Sequence, residues 1–456
     1  MKDLTRGSIV SHILGMAPPI VAGMITIMIC QLVDLYFVAG LGEAAVAGVA
    51  AASNAGFLIN GLMQVLGVGT VALMAHAVGR KDRADANLIF NQSVVLSVLC
   101  GLLTLVAGSV LARFYMRAVA ADEATVEAGT TYLLWFMPAL ALQFVMQAMA
   151  AALRATGIVR PSMLVQVFAV VINIALAPVL ISGWGTGHAF GVAGAGLASS
   201  IAVLIGVLML FAYFRRFERY VRFEPKQWRP QFRQWRRILN VGLPAGGEFA
   251  LMFLYTAIVY GIIRDFGATA QAGFGMGSRI MQAVSLPAMA IAFATAPVVG
   301  QNFGAGHGAR VRATFRTAIV LGAALMLVLT LLCQIAPAAL LRGFTNDAAV
   351  IAIGAQFLQI VSWNFAAAGI VFTCSGLFQA LGNTWPALLS SAARLLGFAL
   401  PVTWLARRPH FRIAAVWYLS VASVVLQAVL SYTLARRQLR RTLLRIHERE
   451  AHHSGQ

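Results

Sequence analysis

The chain has 456 residues, of which 60% are hydrophobic and only 11% are charged, whereas soluble domains carry roughly a quarter charged residues. This composition excludes a single water-soluble globular domain, because so much apolar surface needs lipid as its solvent. The net charge of +19 would favour nucleic-acid binding in a soluble protein. Here the basic residues lie between apolar stretches, which is typical of membrane orientation, so no nucleic-acid partner is expected.

Apolar stretches follow one another along the whole chain, and each is long enough to cross a hydrocarbon core of about 30 Å. We therefore predict an all-α integral membrane protein with twelve transmembrane helices. The first stretch is too long for a cleaved signal peptide and is interpreted as helix 1. The predicted spans are 9–39, 46–77, 87–112, 125–153, 161–182, 190–214, 238–263, 268–300, 312–338, 347–380, 384–406 and 413–435.

Basic residues are distributed unequally between the two sets of loops. The set that includes both termini holds 25 of the 34 Lys and Arg residues. Excess positive charge marks the cytoplasmic side, so both termini are predicted to be cytoplasmic, in a bacterial inner membrane. The densest basic cluster, 215–237, also contains aromatic residues. It predicts an amphipathic linker at the membrane surface, with an RNA-binding segment as the alternative.

An internal repeat divides the chain at this linker. A shift of 225 residues without gaps superposes seven Gly or Pro pairs, most of them at predicted helix starts and loop edges. Two halves of six helices each share one orientation, as in transporters that alternate access between two bundles. The predicted domains are an N-terminal lobe (1–214), the linker (215–237), a C-terminal lobe (238–438) and a basic tail (439–456). The pairs are Pro19 and Pro244, Gly42 and Gly267, Gly48 and Gly273, Gly79 and Gly304, Gly129 and Gly354, Gly157 and Gly382, and Pro161 and Pro386.

Thirteen of the fifteen acidic residues lie in loops, tails or span edges, and two lie well inside spans, Asp34 in the first and Glu248 in the seventh. An ionisable group in the bilayer costs about 2.5–3.5 kcal/mol on insertion scales, so it usually faces a cavity or a partner. A carboxylate in such surroundings can exchange a proton near neutral pH, as ion-coupled transport requires. Asp34 is therefore predicted to couple ions, with Gln31 on the same helical face. A residue reaching toward the outer end of the helix is the alternative.

Polar residues of the second span form one stripe, because Ser53, Asn60 and Gln64 are spaced by seven and four positions. We predict that this stripe faces Asp34 and lines an aqueous cavity. Polar packing between helices would produce the same pattern.

Glu248 follows a proline and two glycines, which weaken a membrane helix and often border a substrate or ion site. It is predicted to contact substrate. A structural ion pair with Arg279 or Arg394, two cations well inside spans, is the alternative.

Aromatic and Met side chains of the fourth and tenth spans, such as Trp135, Met146 and Trp363, suit loose binding of flat apolar ligands. Ordinary helix packing accounts for them equally well.

Enzyme motifs are absent from the sequence. There is no Gly-x-Ser-x-Gly, His-Glu-x-x-His or Walker A pattern, so we expect no catalytic residue, no internal ATP drive and no cofactor. The four cysteines fall singly in separate spans, which indicates neither a zinc site nor a disulfide framework.

Several motifs resemble those of the multidrug and toxic compound extrusion (MATE) family, over nearly the whole chain. The motifs are Pro18-Pro19 followed by Leu32-Val33-Asp34 and Phe37-Val38-Ala39-Gly40-Leu41-Gly42, Ala77-Val78-Gly79-Arg80-Lys81-Asp82, Leu153-Arg154-Ala155-Thr156-Gly157, Gly242-Leu243-Pro244, Gly277-Ser278-Arg279-Ile280, Ala296-Pro297-Val298-Val299-Gly300-Gln301-Asn302-Phe303-Gly304-Ala305-Gly306 and Phe378-Gln379-Ala380-Leu381-Gly382-Asn383-Thr384. The string from Ala296 to Gly306 is the most specific of them.

The resemblance implies two six-helix lobes that form a V around a central cavity. It also implies export of cationic or amphipathic small molecules against inward flow of H⁺ or Na⁺, by a monomer surrounded by lipid. Asp34 occupies the place of the family's ion-coupling acid, and Asn173 resembles the helix 5 Asn of the same site. Ala177 stands where some members carry a second Asp, which favours H⁺; with Na⁺, Asp34 and Asn173 would be the ligands.

Two other functions remain open from the sequence. A lipid-linked oligosaccharide flippase of the same superfamily would use cationic side chains such as Arg279 and Arg394 for phosphate. An uncoupled channel or scaffold would carry the same repeat without needing Asp34.

Overall fold

The computed structural model describes residues 2–120, 122–185, 187–343, 345, 347–408 and 411–454, with side chains up to 444. Within these residues the fold is helical and contains no strand. The helices are α1 (Ile9–Ala39), α2 (Glu43–Gly79), α3 (Arg83–Val119), α4 (Glu123–Ala155), α5 (Arg160–Ser182), α6 (Val192–Arg216), α7 (Phe232–Ile263), α8 (Ala268–Gly304), α9 (Gly308–Ile335), α10 (Pro337–Arg342), α11 (Ala348–Val361), α12 (Asn364–Ala380), α13 (Trp385–Ala406) and α14 (Ile413–Ser454).

The predicted all-α membrane fold is confirmed. In the described part of the chain, eleven helices are individually long and apolar enough to cross a membrane, and α11 with α12 forms a twelfth span bent by 57°. This bend was not predicted, because 357–365 contains neither Pro nor Gly. Side chains of α9 stabilise it: Thr330 donates to the Ser362 carbonyl at 3.0 Å and Gln334 to the Gln359 carbonyl at 2.7 Å. The predicted ninth span also ends early, and α10 follows it as a separate short helix.

Short polar residues begin several helices. Asp82, Asp122 and Asp347 each accept a hydrogen bond from a backbone N–H in the first turn of α3, α4 and α11. Asp122 also accepts from the Thr125 hydroxyl at 2.9 Å, and these hydrogen bonds from Thr125 lower the pKa of Asp122. These capping hydrogen bonds therefore stabilise the first turns of α3, α4 and α11.

The chain forms two compact units. Unit 1 comprises Met1–Asp3 with Pro19–Gly242, and unit 2 comprises Leu4–Pro18 with Leu243–Gln456. The first turns of α1 thus belong to unit 2, whereas the first turns of α7 belong to unit 1. The division follows the sequence repeat, because the boundary between the units falls beside Pro19 in α1 and beside Pro244 in α7, and these prolines are a repeat pair.

The basic segment between α6 and α7 packs on unit 1. Asn91 is fully buried; it donates to the Arg222 carbonyl at 2.9 Å and accepts from Glu224 N and Trp228 Nε1, both at 3.0 Å. Gln92 donates to the Gln227 carbonyl at 2.6 Å. The segment predicted as a linker is therefore held against α3 by buried amides.

The segment before α1 is anchored in unit 2. Leu4 is fully buried, and its backbone donates to Gln301 Oε1 at 3.0 Å and accepts from Asn302 Nδ2 at 3.1 Å. Arg310 donates to the Gly7 carbonyl at 3.1 Å. Gln301 and Asn302 belong to the string that carries the most specific family resemblance, and their contacts give that string a structural role.

Equivalent glycines make equivalent helix crossings in the two units. A Cβ on Gly48 of α2 would lie 2.7 Å from Gly129 N of α4. A Cβ on Gly273 of α8 would lie 3.2 Å from Gly354 N of α11. The repeat read from the sequence therefore corresponds to a repeated packing arrangement.

Candidate functional site

Asp34 lies on α1, half-buried, beside α5 and α6 of unit 1. The Asn173 amide sits between Asp34 and Ser199. In the orientation that satisfies both neighbours, Asn173 Nδ2 donates to Asp34 Oδ1 at 2.9 Å, and Asn173 Oδ1 accepts from Ser199 N at 3.2 Å and Ser199 Oγ at 3.0 Å. The structure thus brings together two of the three residues predicted for the ion-coupling site, Asp34 and Asn173.

Two more side chains lie near this carboxylate. Cys30, one helical turn before Asp34, has its Sγ 3.9 Å from Asp34 Oδ2. Tyr132 of α4 is buried within electrostatic range of Asp34 and stacks on Phe136 with ring centroids 5.2 Å apart. The carboxylate is therefore bordered by an amide and a thiol, and a buried aromatic ring lies within electrostatic range.

No described Lys or Arg lies within 4 Å of the Asp34 or Glu248 carboxylate. Described ion pairs at helix ends join Arg80 and Arg237 to Asp85, and Arg113 and Arg117 to Glu123. Among the described residues no group of three or more His, Cys, Asp or Glu could hold a metal ion.

Small residues allow α4, α5 and α6 to approach closely around Asn173 and Ser199. A Cβ on Gly196 would lie 2.8 Å from the Tyr132 carbonyl, and one on Gly194 would lie 2.3 Å from the Leu180 carbonyl. Ser200 also enters the α4 backbone ladder next to Pro138, accepting from Ala139 N at 3.2 Å and donating to the Trp135 carbonyl at 2.6 Å. These contacts position the helices that carry Tyr132, Asn173 and Ser199 next to Asp34.

The polar stripe on α2 does not join the Asp34 cluster. Ser53 and Asn60 donate to carbonyls of their own helix, Val49 and Gly56. Gln64 instead accepts from Gln147 of α4 at 3.0 Å. Ser53 and Asn60 are exposed, so these contacts link the stripe to no partner of Asp34, and the cavity lining stays a prediction.

Gln31 is exposed and makes none of the hydrogen bonds of the Asp34 cluster. It shares a helical face with Asp34 without meeting its partners.

Glu248 has a polar environment of its own in unit 2. Ser375 of α12 donates to Glu248 Oε2 at 3.1 Å, and Ser391 of α13 donates to Oε1 at 3.4 Å. Arg394 lies within electrostatic range but makes no ion pair with it, and Arg279 is exposed. Neither cation is thus the direct salt-bridge partner considered from the sequence.

The side chains of the aromatic and Met candidates make no described hydrogen bond to either carboxylate. Trp135 and Trp363 are largely exposed, and Trp363 stands at the bend between α11 and α12. Met146 packs on α6, where a Cβ on Gly206 would lie 3.3 Å from its Sδ. This contact fits ordinary helix packing for Met146.

Sequence reasoning missed Cys30, Tyr132 and Ser199 beside Asp34, and Ser375 and Ser391 beside Glu248. Cys30 could have been predicted from the sequence, since it lies four residues before Asp34 on the same helical face. The other four come from distant helices and carry no local signal.

Comparison with known proteins gives a consistent picture. The family model MatE matches residues 19–179 and 244–405, and each segment begins at one of the paired prolines. The chain is 24% identical to the multidrug export protein MepA of Staphylococcus haemolyticus over 434 residues, 93% of this chain and 94% of that protein. It is 23% identical to the FAD transporter of Shewanella oneidensis over 413 residues, 88% and 90% of the two chains.

Among solved structures, the fold is similar to that of a MOP superfamily transporter from Pyrococcus furiosus, whose binding pocket is described as having reverse polarity. The TM-score is 0.88 at 23% identity, covering 96% of this chain and 98% of the other. The agreement extends over nearly the whole length of both chains.

Proposed function

The chain belongs to the MatE family, and from that premise we propose that it exports cationic or amphipathic organic compounds in exchange for inward-moving protons. The family consists of multi-pass membrane transporters rather than enzymes. The MepA relative is named for multidrug export, and the same cargo class is proposed for this chain.

Asp34 carries the proposal. Its carboxylate lies in a transmembrane helix, is held at 2.9 Å by Asn173, and has no Lys or Arg within 4 Å among the described residues. A carboxylate that no fixed cation neutralises is available to take up and release an ion during transport.

The surroundings of Asp34 favour H⁺ over Na⁺ as the coupling ion. Sodium is a hard cation and needs several oxygen ligands at once. The groups beside the carboxylate are the Asn173 amide nitrogen and the Cys30 thiol, while the Asn173 oxygen faces Ser199. Ala177, fully buried one turn after Asn173, adds no oxygen from its side chain. A proton needs only the carboxylate itself.

The test is ethidium accumulation in bacteria that lack their major efflux pumps. Wild type is expected to lower accumulation in a protonophore-sensitive manner, whereas Asp34→Asn should match the empty vector. Glu123→Gln is the matched control, because it removes an exposed carboxylate from the start of α4. Equal export by Asp34→Asn and wild type would refute coupling at Asp34 and favour the uncoupled channel. Equal accumulation with wild type and vector would refute drug export and favour the lipid-linked oligosaccharide flippase.

The coupling ion is tested separately in everted membrane vesicles. With H⁺ coupling, an imposed pH gradient drives ethidium uptake equally well in sodium and in choline buffers. Uptake that requires an imposed Na⁺ gradient would assign Na⁺ instead.

A bacterial inner-membrane location with both termini cytoplasmic is proposed from the excess of Lys and Arg in alternate loops. A green fluorescent protein fused to the C-terminus should fluoresce, and an alkaline phosphatase fused there should be inactive. The protein is proposed to act as a monomer, which light scattering of the detergent-purified transporter would check.

A further inference from the structure

Arg394 lies in the middle of α13, half-buried within unit 2, where a charge is costly unless something compensates it. Its guanidinium carbon stands 4.4 Å from the centre of the Tyr255 ring, so one face of the group is covered. Tyr255 is itself held by a 2.7 Å hydrogen bond to Ser420 of α14. The arginine is therefore oriented into the helix bundle rather than toward a helix end.

Most of the donors on Arg394 lack an acceptor. Nη1 donates to Gln427 Oε1 over a long 3.5 Å, and the buried Nε has no acceptor within the described part of the chain. A guanidinium carries five N–H donors, so this one weak contact leaves most of its capacity unused.

Glu248 does not supply the missing countercharge directly. Arg394, Gln427, Ser391 and Glu248 form a relay in which Gln427 Nε2 donates to Ser391 Oγ at 2.9 Å and Ser391 donates to Glu248 Oε1 at 3.4 Å. The other carboxylate oxygen accepts from Ser375. Glu248 is thus satisfied by two hydroxyl groups, while Arg394 retains its open donors.

We propose that Arg394, with Tyr255 and Gln427, forms a subsite in unit 2 for the oxyanion of an organic substrate, a carboxylate or a phosphate ester. A planar guanidinium binds both of these groups through paired hydrogen bonds. The Tyr255 ring covers one face of the Arg394 guanidinium, and the Gln427 amide lies at the edge of that guanidinium. The inference deepens the proposed export function by adding acidic amphipathic compounds to its cargo.

Purified transporter in detergent provides the test, with flavin mononucleotide and riboflavin as paired fluorescent probes. The two share one ring system and differ in the phosphate, so the ratio of their dissociation constants isolates the oxyanion contact. Wild type should bind flavin mononucleotide at least about tenfold more tightly than riboflavin, because one charge-assisted hydrogen bond contributes about that much affinity. Benzoate should compete with flavin mononucleotide, because the subsite also takes carboxylates.

Arg394→Gln should reduce the preference to about onefold, and Arg394→Lys should give an intermediate value, since it keeps the charge and loses the fork. Arg408→Gln is the matched control; it removes an exposed guanidinium that stacks on Trp404 at 4.2 Å, just past the end of the same helix. That variant should keep the wild-type preference.

The proposal is overturned if wild type binds both flavins equally or if Arg394→Gln keeps the preference. If Arg394→Gln does not fold, the test uses Arg394→Lys instead. A wild-type preference for flavin mononucleotide in Arg394→Lys would then overturn the proposal. Phosphatidylglycerol is added as a separate competitor. Binding of that lipid without a preference between the flavins would assign the arginine to lipid headgroups and overturn the substrate subsite. No ion gradient is needed, so failure of this assay and failure of ethidium export are distinguishable results.

Discussion

Replacing Gly242 with Ala tests a close approach between α7 and α2 in unit 1. Gly242 lies in the first turns of α7, and a Cβ there would be 1.9 Å from the Val65 carbonyl oxygen of α2. The contacted atom belongs to the backbone, so no side-chain rotation relieves the clash and the two helices must separate. Overpacking of this kind costs about 1–3 kcal/mol.

Gly261→Ala is the matched control on the same helix, because nothing lies within 4 Å of a Cβ at that position. Both variants replace Gly with Ala in α7, so the gain in helix propensity, about 1 kcal/mol, is common to them. The difference between their unfolding temperatures therefore measures the steric cost. For a unit of this size it should be roughly 2–12 °C, with Gly242→Ala the less stable.

Thermal unfolding of detergent-purified protein, followed by tryptophan fluorescence, measures this difference. Trp235 lies in the same turns of α7 and is buried in unit 1, so its emission reports on the packing in question. If Gly242→Ala and Gly261→Ala unfold at the same temperature, α7 does not pack closely on α2 and the assignment of its first turns to unit 1 is wrong.

Two further predictions concern the loops. Asn91→Ala removes the hydrogen bonds that hold the basic segment on α3. Because each buried group left unpaired costs about 1–3 kcal/mol, trypsin should cut 217–231 roughly 5- to 100-fold faster. The control variant, Asn54→Ala, changes an exposed residue and should leave the cleavage rate unchanged. Unchanged cleavage of the Asn91 variant would mean that the segment is held by other contacts. Asp122 has a lowered pKa because Thr125 donates to it, so its contribution is present above the ordinary pKa of 3.8 and is lost as the pH falls below the folded value. Asp122→Ala should therefore lower the unfolding temperature at pH 7 and lower it progressively less as the pH falls below 3.8, whereas an equal effect at neutral and acidic pH would contradict a charge-dependent cap.

The sequence predicted the spans well, since a helix that crosses lipid must be apolar over its whole length whatever its neighbours are. It also located the repeat, because Gly and Pro mark backbone positions that each half needs. It did not predict the bend before Asn364, since the groups that stabilise it, Thr330 and Gln334, lie on another helix.

The candidate site was recovered unevenly. Asp34 was identified from its charge within an apolar span, and its partner Asn173 from the family resemblance; the structure brings the two together. The interpretation of Asn60 and Gln64 as part of the same cavity stays a prediction, because helical spacing determines which residues share a face but not what that face meets.

The sequence by itself determined that this protein lies in a lipid bilayer, how many spans it has, that it contains a two-fold repeat, and which acids lie inside the membrane. Only the tertiary structure decided which polar groups meet: Cys30 and Asn173 at Asp34, two serines at Glu248, and Tyr255 at Arg394. The physical reason is that composition and periodicity act within one helix, whereas a hydrogen bond between helices depends on the rotation and depth of both. Those are set by close packing at small residues distant in the chain.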